Sequence, residues 1–198
     1  VKVVRALVAT AAFVLLLLVT YALHVRYLRV NVVLYSALLD AVVAAALVAA
    51  GLHLSRFRAG FTSMERALLL LVWLLGGYAF AISIPTVIDR SLSFYILEKL
   101  QQRGGGIRAD RMADVFTSEY MVEDRLVDVR LTEQVQSGTI TVQGGCVRLT
   151  PRGARLARMS SYFRSHFLPR HRLLRGEYTD ALTDPFRHSV ARVDYTCR

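Results

Sequence analysis

The chain has 198 residues, 54% of them apolar, with a mean hydropathy of +0.39 and 25 Lys+Arg against 15 Asp+Glu. Residues 1–90 hold 8 basic and 3 acidic residues and the remaining 108 hold 17 and 12, so each part carries +5. These figures exclude an ordinary soluble enzyme and leave room for one small domain beside a membrane region.

Three apolar runs come first. Eighteen uncharged residues lie between Arg5 and His24, enough to cross about 30 Å of hydrocarbon at about 1.5 Å per residue. Lys2 and Arg5 could open a secretory signal, but no small-x-small site precedes His24, and the run reads as a retained anchor. A second run, Val30 to Leu54, contains one charge, Asp40; a third, Ala67 to Ile88, is broken only by Pro85. The expectation is a membrane domain over 1–90 with transmembrane helices at about 6–24, 30–54 and 67–88.

Asp40 stands near the middle of the second span, where a carboxylate costs roughly 2.5 to 3.5 kcal/mol on insertion scales. A protonated Asp40 bonded to Ser36, Thr20 or Tyr35 is expected to make it tolerable, in preference to an ion relay. Small residues follow at three- and four-residue spacing, including Ala45 and Ala49, and Gly76-Gly77 forms a second notch in the third span. Small residues let helix backbones approach in lipid, so these positions are candidate contacts within the bundle or with a larger integral membrane protein. The positive-inside count ties at five residues a side: Lys2, Arg5, Arg56, Arg58 and Arg66 against Arg26, Arg29, Arg90, Lys99 and Arg103. The arginine-rich C-terminal half tips the expectation towards a multi-pass cell-membrane protein with a cytoplasmic C-terminal domain.

After Arg90 the pattern shortens. Helices are expected over 91–102, ended by Gly104-Gly105-Gly106, then over 109–116, and from Val122 to Gln136. Thr139 to Val142 and Cys146 to Leu149 read as two strands about Gly144-Gly145, and Thr150-Pro151 supplies the start of a helix through Phe167. Arg130 to Ile140, then Gly144-Gly145 and Val147 to Ala157 with Leu149-Thr150-Pro151-Arg152-Gly153, resemble the closing half of MarR-like and PadR-like regulators. The resemblance implies a winged-helix domain over 91–167, and does not fix its function. The fold class expected is mainly α: three transmembrane helices, a small α+β winged-helix domain and an irregular basic tail over 168–198.

A DNA-binding winged helix presents its third helix to bases. Here Glu123, Asp124, Asp128 and Glu133 oppose Arg125 and Arg130, and a net negative helix repels phosphate. Glu123, Asp124, Leu126 and Asp128 are therefore candidate protein-contact residues. Positive charge gathers later: Arg148, Arg152, Arg155, Arg158, Arg164, Arg170, Arg172 and Arg175 share a stretch without an acid, among Tyr162, Phe163 and Phe167. Such a segment reads first as a contact to anionic lipid headgroups, with nucleic-acid phosphate, disfavoured by the acidic third helix, and an acidic protein partner as competing readings.

His166, His171, His188, Asp180 and Asp184 lack a recognised metal-ligand spacing, and Cys146 and Cys197 are too few for a disulfide framework or a zinc site. No HExxH, P-loop, GxSxG or CxxC occurs. The expected function is a non-enzymatic accessory or scaffolding subunit of a membrane complex, without a cofactor. A membrane-tethered winged-helix transcription regulator is the alternative.

Overall fold

A computed structural model describes residues 2–54, 60–186 and 197 of the chain. They form two compact units, Val1–Asp124 and Arg125–Arg198. The first therefore takes in the helices expected to open the winged-helix domain.

Three helices of the first unit are long and apolar enough to cross a membrane: α1 (Lys2–Tyr27), α2 (Val33–Leu54) and α3 (Ser63–Arg90). At about 1.5 Å per residue they measure roughly 39, 33 and 42 Å, against about 30 Å of hydrocarbon. Two are longer than the apolar runs because polar ends are helical too. The α3 start moves from the expected residue 67 to Ser63, where Thr62 and Glu65 form a capping box: the Glu65 amide donates to Thr62 Oγ1 (3.2 Å) and the Thr62 amide to Glu65 Oε2 (2.6 Å). Lys2 Nζ, from the start of α1, donates to Glu65 Oε1 at 3.1 Å. Pro85 does not end α3. It sits in a π-helical stretch, Ile82–Thr86, where the missing amide is absorbed by a widened turn. Arg56 and Arg58 lie outside the described residues.

The bundle packs around small side chains of α2. Ala41, Ala44 and Ala45 meet Ala9, Phe13 and Leu17 of α1 and Trp73 of α3. Trp73 stacks on Phe13 with ring centroids 5.8 Å apart, and its Nε1 donates to Thr10 Oγ1 at 3.1 Å. Burying an indole thus leaves no unpaired donor. A Cβ on Gly77 would lie 2.5 Å from the Ala41 Cβ and 3.6 Å from Phe13 Cζ, so α2 and α3 approach as closely as the glycine permits. The outward residues, among them Leu15, Leu18, Leu71, Val72 and Leu75, are exposed aliphatics suited to lipid.

The same unit continues into α4 (Leu92–Gln102), capped by Ser91, and ends it at Gly104 and Gly105, both with positive φ. A 3₁₀ turn, Ala109–Arg111, leads into a helical segment, α5, made of Met112–Asp114, the π-helical Val115–Tyr120 and Met121–Glu123. Tyr95 of α4 packs on Tyr120 of α5 at 4.5 Å between centroids. The helix expected over 109–116 is thus longer. The one expected from Val122 begins instead at Leu126, because Arg125 takes the left-handed conformation (φ 46°, ψ 42°) and interrupts the helical path.

In the second unit, α6 (Leu126–Gln136) ends at Gly138, and β1 (Ile140–Gln143) pairs antiparallel with β2 (Cys146–Leu149). The turn residues Gly144 and Gly145 both have positive φ, as a two-residue hairpin requires. Thr150 then caps α7 (Pro151–Phe167): its Oγ1 accepts from the Gly153 amide at 3.0 Å and donates to the carbonyl of Gly138 at 2.8 Å. Gly153 lies directly against the Thr139 carbonyl, which leaves no room for a Cβ. The tail is not wholly irregular. Arg172–Leu174 (β3) pairs with Glu177–Thr179 (β4) about Arg175 and Gly176, both left-handed. Cys146 and Cys197, too few to read from the sequence as a disulfide framework, are joined as a disulfide with Cα atoms 6.0 Å apart.

Candidate functional site: a buried histidine and aspartate, and an exposed arginine helix

Asp40 is 5% exposed and its Oδ1 lies 2.7 Å from Nδ1 of His24, near the end of α1. The partner is neither Ser36, Thr20 nor Tyr35. Thr20 is turned back on its own helix, where its hydroxyl donates to the carbonyls of Leu16 (2.9 Å) and Leu17 (3.0 Å). The imidazole gives the Asp40 carboxyl a hydrogen-bonding partner inside the bundle, which lowers the cost of placing it in a span. Asp40 Oδ2 is buried without a hydrogen-bond partner among the described residues, as is Thr86 Oγ1 in the π-helical stretch of α3.

The small-residue positions separate. Ala45 is 1% exposed inside the bundle, Ala49 packs against the core from its edge, and Gly77 is filled by Ala41. Gly76 faces open space, with nothing within 4 Å of a built Cβ. Of these positions, Gly76 is the notch left open on the outer surface.

The acidic candidates are engaged near home. Lys99 is 5% exposed and its Nζ donates to Glu123 Oε1 at 2.6 Å and pairs with Glu119 Oε2 at 2.7 Å. Arg103 Nη2 reaches the same Glu119 oxygen at 2.9 Å, and the Tyr95 hydroxyl donates to Glu123 Oε2 at 2.8 Å. Hydrogen bonds from Lys99 hold both glutamates below the ordinary carboxylate range, and those carboxylates hold Lys99 above the ordinary lysine range. Burial, then the bond to Glu123, pushes the Tyr95 phenol up to about 12. Glu123 therefore closes α5 onto α4 and does not begin the third helix. Asp124 is exposed just beyond it, Asp128 pairs with Arg125 at 2.8 Å, and Leu126 is half-buried.

The basic candidates Arg152, Arg155 and Arg158 are exposed along α7, Arg164 is half-buried, and Arg170, Arg172 and Arg175 are exposed around the β3–β4 hairpin. Alongside them runs an apolar stripe absent from the sequence reading. Leu156, Met159, Phe163 and Phe167 recur at helical spacing and are 41, 61, 53 and 64% exposed. Phe163 and Phe167 touch at 5.3 Å between centroids, and Tyr162 stacks on His166 at 4.2 Å. Beside the stripe, Ala157, Ser160 and Ser161 face Thr183 to Phe186 across a cleft, with Ser161 farthest round the helix from the stripe. No group of three or more His, Cys, Asp or Glu side chains able to hold a metal occurs among the described residues, and His188 lies outside them.

Comparison of the chain with family models, with curated proteins and with solved structures finds no match.

Proposed function

We propose that the chain is a non-enzymatic accessory or scaffolding subunit of a membrane complex, anchored by α1–α3 and engaging a larger integral membrane protein through its basic second unit. The observation that carries this reading is the exposed face of α7, where an apolar stripe runs beside Arg152 and Arg155. An uncovered apolar strip flanked by cations suits an acidic protein surface, with anionic headgroups as a second contact. The buried His24–Asp40 contact and the alanine-packed core support an anchor, and Gly76 offers a lateral contact in the bilayer.

The order α6, hairpin, α7 supports a winged-helix contact module, and it also favours the membrane-tethered regulator as a second reading. Against that reading, α6 carries Asp128 and Glu133 beside a single Arg130, and the wing tip is Gly144-Gly145 without a cation. The arginines alone would favour a cytoplasmic position for this unit, whereas the joined cysteines favour the other side.

Affinity purification of the full chain in mild detergent tests the proposal, with Arg152→Glu/Arg155→Glu as the comparison. Co-elution of an integral membrane protein in fixed ratio, lost in the variant, is expected. A chain that elutes alone contradicts the accessory role. Sequence-selective retention of DNA at about 150 mM salt would establish the regulator instead.

A further inference from the structure

We infer that the second unit resides in an oxidising compartment, on the far side of the membrane from the N-terminus, where the Cys146–Cys197 bond clamps the chain's C-terminal end to the wing strand β2. Three observations carry this. The two Cα atoms are 6.0 Å apart, within the span of about 4.4 to 6.8 Å that a disulfide bridges. The bond closes a separation of 51 residues that includes all of α7 and the β3–β4 hairpin, so its constraint covers most of the unit. The chain has two cysteines, and both are used; neither is free.

Reducing compartments keep such thiols apart, whereas exported domains keep them joined. The loop charges do not oppose this, because the basic residues divide five and five between the two sides. Three spans then place Lys2 and Arg5 in the cytoplasm with the loop joining α2 to α3. In forming the bond each thiol gives up one proton and one electron, and both pairs pass to the disulfide of an exported thiol oxidoreductase, which becomes a dithiol. Any protein that meets α7 would meet it on that side. The inference stands apart from the accessory reading: a cytoplasmic second unit would remove the former and leave the latter intact.

The test uses the full chain in native membranes. Cells are acid-quenched to trap thiols, and a polyethylene glycol maleimide is added under denaturing conditions with and without prior reduction. No adduct before reduction and two after it are expected. Cys146→Ser and Cys197→Ser each leave one thiol, which should react with a membrane-impermeant maleimide added to right-side-out vesicles. Two adducts without reduction, or single-variant thiols that react only in inverted vesicles, would overturn the inference.

Discussion

His24 Nδ1 and Asp40 Oδ1 lie 2.7 Å apart across the α1–α2 hairpin, sixteen residues apart in sequence, and both side chains are buried. The pair explains how a span can carry an aspartate without a polar path through the bundle. Removing one partner strands the other. Interhelical hydrogen bonds in membranes are worth about 0.6 to 2 kcal/mol, and an unpaired buried polar group adds a desolvation penalty of about 1 to 3 kcal/mol. His24→Leu should therefore lower the stability of the bundle in detergent by about 2 kcal/mol, while His24→Leu/Asp40→Leu should recover much of that loss. Thermal unfolding in one detergent checks it, and equal losses in the single and double variants would mean that the two groups are uncoupled.

The adjacent glycines of α3 should behave differently. Gly77→Ala drives a methyl group to 2.5 Å from the Ala41 Cβ, whereas Gly76→Ala meets nothing within 4 Å. Overpacking costs about 1 to 3 kcal/mol, so Gly77→Ala should loosen the bundle, while Gly76→Ala should not lower its unfolding temperature and gains alanine's helix preference. Ala45→Leu falls with Gly77→Ala, because Ala45 is inside the bundle. A larger Gly76→Leu substitution would weaken partner capture only if that notch is occupied in the complex.

Gly153→Ala reverses the usual propensity rule. Alanine favours a helix over glycine by about 1 kcal/mol, yet here its Cβ would strike the Thr139 carbonyl and lie 2.8 Å from Leu149 Cδ1. The substitution should destabilise the packing of α7 on the hairpin by about 1 to 3 kcal/mol. Hydrogen exchange of the β1 and β2 amides in the full chain measures this, and slower exchange in the variant would contradict it.

The Lys99 cluster gives a pH signature. Glu119 and Glu123 have lowered folded values, so their contribution is present above the ordinary carboxylate value near 4.5 and is lost as pH falls through the lowered ones. Lys99 has a raised value, so its contribution is present below 10.5 and lost as pH rises through the raised one. Between these limits the cluster should be insensitive to pH. Lys99→Met leaves the two glutamates facing each other, and acidification from pH 6 to 4 should tighten α4 against α5 in the variant while leaving the parent unchanged. Proteolysis within residues 103–111 reports it; identical profiles in both proteins would contradict the assignment.

The long-range chemistry was harder to read from sequence than the elements themselves. Uncharged runs between Arg5 and His24 and from Ala67 to Ile88 mark spans because nothing else tolerates such length, and Gly144-Gly145 and Thr150-Pro151 mark a hairpin tip and a helix start by backbone chemistry that acts locally. Thr62-x-x-Glu65 has the spacing of a capping box and Arg175-Gly176 that of a turn, and both stand among polar residues outside the apolar runs. In the sequence His24 marks only the boundary of a run, since its partner becomes visible only when α1 and α2 are folded together. The break at Arg125 has no compositional signal, because a left-handed arginine is imposed by its surroundings and not by its own preference. The Cys146–Cys197 contact likewise spans a separation that no local pattern encodes.

An accessory role requires a partner to cover α7 in the membrane-bound chain. A photocrosslinking residue at Phe163, within the exposed stripe, and a control at Ser161 on the opposite side measure that in intact cells. The accessory reading predicts a discrete adduct with a larger integral membrane protein from position 163 and none from position 161, abolished by Arg152→Glu/Arg155→Glu. Adducts confined to lipid or to a second copy of the chain, unchanged by those substitutions, would contradict it.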